Sequence, residues 1–264
     1  MLKVIDIHKY FGGIRALNGV SLEVQKSTIV GLIGPNGSGK STLFNVISGF
    51  YPADAGTIEF NGDLISGLPP YKVAGKGSVR TFQISKAPKQ MTVMENMLMA
   101  CDEQIGENVF SALFNRGKIA KQDDENIKKA ASLLEFTGIA HLANEYAGNL
   151  SGGQQKLLSL ARILIRNPAL VLLDEPTAGV NPTLTKKFMT FIKDLQRNHG
   201  KTFFLVEHDM NLISKICDYV YVLDSGFNIA RGTPEQILND PKVLEVYLGG
   251  RKSKGIAEEG VPES

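Results

Sequence analysis

A glycine-rich stretch at residues 34–41 has the residue types and spacing of a phosphate-binding loop. Glycines let the backbone curl so that its N–H groups point at phosphate oxygens, and Lys40 adds a positive charge for the β- and γ-phosphates. The Ser41 hydroxyl can ligate Mg²⁺. An apolar segment, Ile29–Ile33, precedes the loop and a helical segment follows it, so we predict a nucleotide-phosphate site rather than an unoccupied glycine turn. The predicted binding residues are Gly34, Pro35, Asn36, Gly37, Ser38, Gly39, Lys40, Ser41 and Thr42.

An acidic pair, Asp174 and Glu175, follows the apolar run Leu170–Leu173. Carboxylates at the end of a buried strand are costly unless a cation or a substrate uses them. We therefore predict that Asp174 holds Mg²⁺ through water and that Glu175 orients or deprotonates an attacking water. The alternative is structural, because Asp-Glu-Pro could simply cap a following helix.

The segment Leu150–Gln155, Leu-Ser-Gly-Gly-Gln-Gln, resembles the signature motif of ABC ATPases. Chemically, a serine followed by two glycines suits a helix N-terminus that binds an anion. The resemblance implies that Ser151 and Gly153 contact the γ-phosphate held by the phosphate loop of a second subunit. Two chains, identical or related, should then sandwich two ATP molecules head to tail.

The pattern of the ABC ATPase family can be followed over about residues 1–247, and the resemblance implies three further site residues. Phe11 stands where the family stacks an aromatic ring on adenine, although Tyr10 is adjacent and an ordinary core aromatic is the alternative. Gln83 corresponds to the glutamine that senses Mg²⁺ and the γ-phosphate and joins the helical subdomain to the core. His208 resembles the switch histidine that contacts the γ-phosphate.

Hydrophobic patterning places these motifs in an α/β fold. Alternating segments, Leu2–Ile7 and Val20–Val24, predict half-buried antiparallel strands. Three continuously apolar segments suit parallel strands covered on both faces, and ligands bind where such strands end. These segments are Ile29–Ile33, Leu170–Leu173 and Phe203–Val206.

The implied architecture is the ABC ATPase fold, a P-loop NTPase core with an antiparallel β subdomain and an inserted helical signature subdomain. We place one ATP-binding domain at residues 1–248, with the helical subdomain at about 84–165. Short helices should begin at Pro234 and Pro241. Residues 249–264 are polar and contain glycine, so we predict a flexible tail there.

Composition limits the possible partners. The chain has 264 residues, 43% of them hydrophobic, and a formal net charge of +2, and it lacks the basic stripe of a nucleic-acid binder. Cys101 and Cys217 match no metal or redox spacing, so we interpret both as plain thiols in a reducing compartment. We recognise no signal peptide and no apolar run of the roughly 18 residues that a membrane helix needs. Any membrane process would therefore be reached through a partner chain.

Three segments narrow the resemblance to the ATP-binding subunits of branched-chain amino acid importers: residues 80–83, 174–182 and 206–210. Asn181 stands where the wider family usually has Asp, which puts in doubt any communication between subunits that needs a charge there. The resemblance implies an ATPase at the cytoplasmic face of the membrane, with separate permease subunits and, indirectly, an extracytoplasmic solute-binding protein. The alternatives are the motor subunit of a urea or amide importer and a non-transport ABC ATPase, such as a cluster-assembly component.

Overall fold

Two sheets of different type make up the framework of the protein in a computed structural model, which describes residues 1–80, 87–101 and 116–252. The first sheet is antiparallel, in the order β2-β1-β4-β5. The sequence Asn61-Gly62 turns β4 into β5 with positive φ angles at both residues, the geometry that a two-residue hairpin favours. The predicted antiparallel pairing of the first segments is confirmed. The strands are β1 (Leu2–Phe11), β2 (Ile14–Val24), β4 (Ala55–Phe60) and β5 (Asp63–Leu64).

The second sheet has six strands in the order β10-β9-β3-β8-β7-β6. The pairs β6–β7, β7–β8, β8–β3 and β3–β9 are parallel, whereas β10 pairs antiparallel with β9. Every residue of β3, β7 and β8 is buried, which confirms the prediction made from their apolar runs. The strands are β3 (Ile29–Ile33), β6 (Ser78–Arg80), β7 (Leu170–Asp174), β8 (Thr202–Val206), β9 (Tyr219–Asp224) and β10 (Phe227–Gly232).

The helices of the described ranges pack against the two sheets and against one another. They are α1 (Lys40–Ile47), α2 (Pro70–Gly75), α3 (Val93–Leu98), α4 (Arg116–Phe136), α5 (Gly152–Leu164), α6 (Pro182–His199), α7 (Met210–Ile216), α8 (Pro234–Leu238) and α9 (Pro241–Lys252). None of them combines the length and apolar character needed to cross a bilayer.

Two hydrophobic cores lie on opposite faces of the second sheet. Alternate residues of β7 show the division, since Leu172 belongs to the core shared with the antiparallel sheet and α1, whereas Leu173 belongs to the core shared with the helices. In the first core the Phe44 ring of α1 lies 4.9 Å from the Phe204 ring of β8, centroid to centroid. Helix α1 is thereby fixed between the sheets.

The carboxyl ends of three neighbouring parallel strands meet at one edge of the second sheet. Strand β8 lies between β3 and β7, and all three run in the same direction. The phosphate-loop sequence follows β3, the acidic pair lies at the end of β7, and His208 follows β8 shortly after its end. Topology therefore brings together three motifs that are far apart in the chain.

The C-terminal boundary differs from the prediction. Helix α9 continues to Lys252 and so includes the first residues of the segment predicted as a flexible tail. Val243 is buried at 1% exposure and anchors the helix in the core on the helical side of the second sheet. Between residues 87 and 165 the described elements are helical except for one isolated bridge between Thr92 and Tyr146. The division into subdomains stays a prediction, and its start at residue 84 lies outside the described ranges.

Candidate functional site

The phosphate-loop residues form a tight connection between β3 and α1. Gly39 has a φ of 103°, and a Cβ there would lie 2.5 Å from the Ala16 carbonyl oxygen, so no larger side chain fits. The Ser38 amide donates a hydrogen bond to the Pro35 carbonyl at 3.2 Å, which closes the turn. Helix α1 begins directly after Gly39, so its N-terminal end faces the loop, as the sequence predicted.

Lys40 is the buried cation of this loop, with 5% of its surface exposed. Its ammonium donates hydrogen bonds to the carbonyl oxygens of Gly34 at 2.9 Å and Pro35 at 2.8 Å. Burial lowers the pKa of Lys40, while the carboxylates of Glu175 and Asp174 act in the opposite sense. The charge is thus held on the loop itself, beside the acidic pair.

A cavity of about 460 Å³ opens beside the loop, within the size range of small-molecule sites. Glu175 and His208 line it opposite the loop, and Ile14, at the start of β2, contributes an apolar side chain that is 69% exposed. The loop contributes Asn36, Gly37, Gly39, Lys40, Ser41 and Thr42. The structure therefore brings together most of the predicted phosphate-binding residues with two of the predicted catalytic ones.

Asp174 does not line this cavity; it is buried, at 6% exposure, and pairs with Arg80, whose role the sequence did not reveal. The Arg80 guanidinium donates to the Asp174 carboxylate at 2.6 Å and to the Asn45 side-chain oxygen at 2.6 Å. It also lies over the Phe44 ring at 5.6 Å. A buried carboxylate needs such a partner, because an uncompensated charge there is strongly unfavourable. In the sequence, Arg80 appeared only as part of the segment 80–83, which gave no indication of its contact with Asp174.

Glu175 and His208 are in direct contact, with 2.6 Å between a Glu175 carboxylate oxygen and His208 Nε2. Glu175 has a φ of 46°, in the left-handed region that is unfavourable for a residue with a side chain. Its amide still donates to the Val206 carbonyl at 3.0 Å, which extends the β7–β8 pairing by one residue. Two side chains predicted from separate motifs therefore form one pair at the cavity wall.

Two of the three residues predicted to bind Mg²⁺ lie in the described ranges. Ser41 and Asp174 offer a hydroxyl and a carboxylate oxygen, ligands that Mg²⁺ accepts, so these residues fit such an ion. Gln83 lies outside the described residues. Within the described ranges no cluster of three or more His, Cys, Asp or Glu side chains suits a metal ion. The Cys101 thiol donates to the Met97 carbonyl at 3.7 Å, and burial raises the pKa of the Cys217 thiol far above its usual range.

Ser151 is the N-cap of α5, as predicted, and forms a capping box with Gln154. The Gln154 amide donates to the Ser151 hydroxyl at 3.4 Å, and the Ser151 amide donates to the Gln154 side chain at 2.8 Å. Ser151 is exposed and does not line the cavity beside the phosphate loop of its own chain. A Cβ on Gly153 would lie too close to the end of the Leu184 side chain of α6, which would have to move, so the start of α5 packs closely against α6.

Asn181 is the N-cap residue of α6, a structural role that does not require a charged side chain. Its side-chain oxygen accepts a hydrogen bond from the Leu184 amide at 2.9 Å and so caps α6. Asn and Asp cap helices about equally well. The replacement of the usual Asp therefore keeps the start of α6 intact.

Phe11 lies at the end of β1, 43% exposed, and pairs with Ile14 across the first hairpin. Its ring meets Tyr51 edge to face at 5.4 Å, and the Lys9 ammonium lies 5.5 Å from it. It does not line the cavity, although its partner Ile14 does. Tyr10 points elsewhere, with its hydroxyl 3.1 Å from the His8 ring. Adenine stacking by Phe11 stays a prediction.

Known proteins resemble this chain in sequence over most of its length. A family model described as ABC transporter matches residues 17–178, and one described as branched-chain amino acid ATP-binding cassette transporter matches residues 228–253. The chain is 44% identical to the probable branched-chain amino acid transport ATP-binding protein LivG of Archaeoglobus fulgidus, over 96% of this chain and 97% of the relative.

Two solved structures extend the similarity to the fold. The ADP conformation of MJ1267, an ATP-binding cassette of an ABC transporter, has a TM-score of 0.81 and 40% identity, covering 94% of this chain and 98% of that one. A dimeric post-hydrolysis state of the cassette MJ0796, bound to ADP and phosphate, has a TM-score of 0.73 and 26% identity, covering 89% and 99%. The predicted ABC ATPase fold is confirmed.

Proposed function

The chain belongs to the family of ABC transporter ATP-binding subunits and is an ATPase. From this premise we propose that it energises uptake of branched-chain amino acids through separate permease subunits. The observation that carries this proposal is the match of residues 228–253 to the branched-chain amino acid cassette model. This segment comprises β10, α8 and α9, which pack against the nucleotide-binding core: Ile237 and Val243 belong to the same hydrophobic core as β3.

Nucleotide binding follows from the loop and its buried cation. The N–H groups of the loop and of the α1 N-terminus point toward a bound triphosphate, and Lys40 exchanges its carbonyl partners for phosphate oxygens. Phe11, beside Ile14 at the cavity edge, is our candidate for the adenine contact. Ser41 and Asp174 would hold Mg²⁺, with Gln83 as a third ligand, and a bound Mg²⁺ neutralises charge on the phosphates.

Hydrolysis is assigned to the pair at the cavity wall. Glu175 accepts a proton from the water that attacks the γ-phosphorus, and ADP leaves as the bond between the γ-phosphorus and the bridging oxygen breaks. His208, 2.6 Å from the Glu175 carboxylate, holds that carboxylate in place and is our candidate for the γ-phosphate contact. The exposed end of α5, with Ser151 and Gly153, completes the site of a second subunit. ABC cassettes act as such dimers with permease partners, and we infer that the permease of this chain is a separate membrane protein on whose cytoplasmic side it sits.

Uptake by the intact cell tests the cargo. Deleting the gene should abolish uptake of labelled leucine, isoleucine and valine, and a plasmid copy should restore it. A Glu175→Gln copy is the matched control, since it keeps the fold and the nucleotide site and should restore nothing. Lost urea uptake with normal amino-acid uptake would assign the chain to a urea importer. Normal uptake of all four solutes would remove the transport proposal.

A further inference from the structure

Lys156, on the second turn of α5, reaches across to the residues that follow β7. Its ammonium donates to the Glu175 carbonyl at 3.3 Å and to the Ala178 carbonyl. Burial lowers the pKa of Lys156, whereas the carboxylates of Glu207 and Glu175 act in the opposite sense. A half-buried cation is therefore directed at the backbone of the catalytic segment instead of toward solvent.

The turn that Lys156 contacts is short and closed on itself. The Ala178 amide donates to the Glu175 carbonyl at 3.2 Å, so the two carbonyls that Lys156 contacts lie at the two ends of one turn. The positive φ of Glu175 needs surrounding contacts to hold it, since this conformation costs about 1 kcal/mol for a residue with a side chain. Lys156 supplies contacts at both ends of the turn.

Glu207 holds the same turn from the opposite side. Its carboxylate is buried at 4% exposure and accepts hydrogen bonds from the Thr177 amide at 3.0 Å and the Thr177 hydroxyl at 2.6 Å. Its second oxygen accepts from the His208 amide at 3.3 Å. The turn is thus tied to His208 by Glu207, and Lys156 ties it to α5.

Helix α5 also begins at Ser151 and Gly153, the residues that we propose contact the nucleotide of the other subunit. The Cβ position of Gly153 faces Leu184 and Val180, so the start of α5 packs against the continuation of this same segment. A movement of α5 therefore acts on the turn directly through the Lys156 ammonium, and on the residues that follow the turn through the packing of Gly153.

We propose that Lys156 is a positioning residue for ATP hydrolysis, which sets the Glu175 carboxylate according to the position of the helix that carries Ser151. The proposal rests on the proposed role of Glu175 as the water-activating group. When Ser151 binds the nucleotide held by the second subunit, the position of α5 is fixed. Lys156 transmits that position to the turn and so positions Glu175 toward the nucleotide held by its own chain. In this proposal Glu207 holds the turn in place through Thr177, and Lys156 moves together with α5.

The test separates turnover from binding. In Lys156→Met, which keeps the aliphatic stem, turnover at saturating ATP should fall about 10- to 100-fold, because misplacing a reacting group by ~1 Å costs on the order of 10²-fold. The ATP dissociation constant should stay within about twofold, since Lys156 does not line the cavity beside the phosphate loop. Lys156→Arg should restore most of the turnover. Lys121→Met, at an exposed lysine of α4, is the matched control and should change neither quantity.

A double-mutant cycle then asks whether Lys156 acts through Glu175. In a Glu175→Gln background, Lys156→Met should lower the single-turnover rate by less than about threefold, because the group that it positions is already gone. A full loss in that background would overturn the proposal, as would a Lys156→Met turnover within about twofold of wild type. If Lys156→Met does not fold, Lys156→Gln is judged by the same two criteria. Should Glu175→Gln alone keep wild-type turnover, the assignment of Glu175 would have failed instead.

Discussion

Replacing Lys40 by methionine tests how the phosphate loop gains its affinity. The side chain keeps most of its length and apolar stem, and only the ammonium is lost. In the structure this ammonium already has two good partners, the carbonyls of Gly34 at 2.9 Å and Pro35 at 2.8 Å. Binding a phosphate therefore exchanges existing hydrogen bonds for new ones instead of adding bonds to a free cation.

This exchange limits the expected loss of affinity. A single hydrogen bond to a charged group contributes about 1.5–3 kcal/mol, and we take the net gain at Lys40 to be one such bond. At about 1.4 kcal/mol per factor of ten, Lys40→Met should weaken ATP binding about 10- to 150-fold. The free energy of unfolding without nucleotide should change less, by about 1 kcal/mol, because losing the two carbonyl bonds is offset by no longer burying an ammonium.

Equilibrium titration with a fluorescent ATP analogue measures the first quantity, and denaturant unfolding of the nucleotide-free protein measures the second. Lys121→Met again serves as the control, because Lys121 is an exposed lysine on α4. A dissociation constant within twofold of wild type would refute the assignment of the loop. A large loss of stability with unchanged affinity would mean that Lys40 serves the fold alone.

Three further changes test the chemistry, the assembly and the helix cap. Glu175→Gln should reduce the rate of phosphate release about 10²–10⁴-fold, the usual contribution of a general base. Light scattering of this variant with saturating ATP should find a dimer. A result of monomer alone would contradict the proposed ATP-sandwich dimer. Adding Ser151→Arg to that variant should prevent formation of the dimer and leave the ATP dissociation constant within about twofold. The reason is that the arginine is introduced at the exposed end of α5 and not at the phosphate loop. A dimer that persists would contradict this prediction. Asn181→Ala should lower stability by about 1 kcal/mol, or about 2–4 °C in melting temperature, because α6 loses its cap, whereas Asn181→Asp should match wild type. Equal melting temperatures for all three proteins would show that the cap contributes nothing.

The strand pattern was predictable because burial on one face or two leaves a direct mark in the sequence. Leu170–Leu173 is apolar throughout and lies in the middle of a sheet that is covered on both faces. The alternation in Leu2–Ile7 reflects a strand with one solvated face. The end of α9 was not predictable in the same way, because its last residues are polar and the helix is continued by backbone hydrogen bonding past Val243.

The local structure around the predicted site residues could be predicted where a motif is contiguous, and contacts that join distant segments could not. The loop residues 34–42 and the cap at Ser151 follow from spacing alone. The contact of Arg80 with Asp174 spans 94 positions of the chain, and nothing in either segment announces the other. The same holds for Lys156, whose position on a helix gives no hint that its ammonium reaches the carbonyl oxygens of the turn after β7.

The cap of α5 explains how a neutral serine and two glycines can serve a distant phosphate. The capping box uses the amides of Ser151 and Gln154, one directed at each side chain. The amides of Gly152 and Gly153 are among the first of the helix and have no acceptor within it. With the helix dipole behind them, they are donors for an anion, and Gly152 is exposed. The loop cavity of the same chain does not include them, which agrees with the proposal that they meet the nucleotide bound by a second chain.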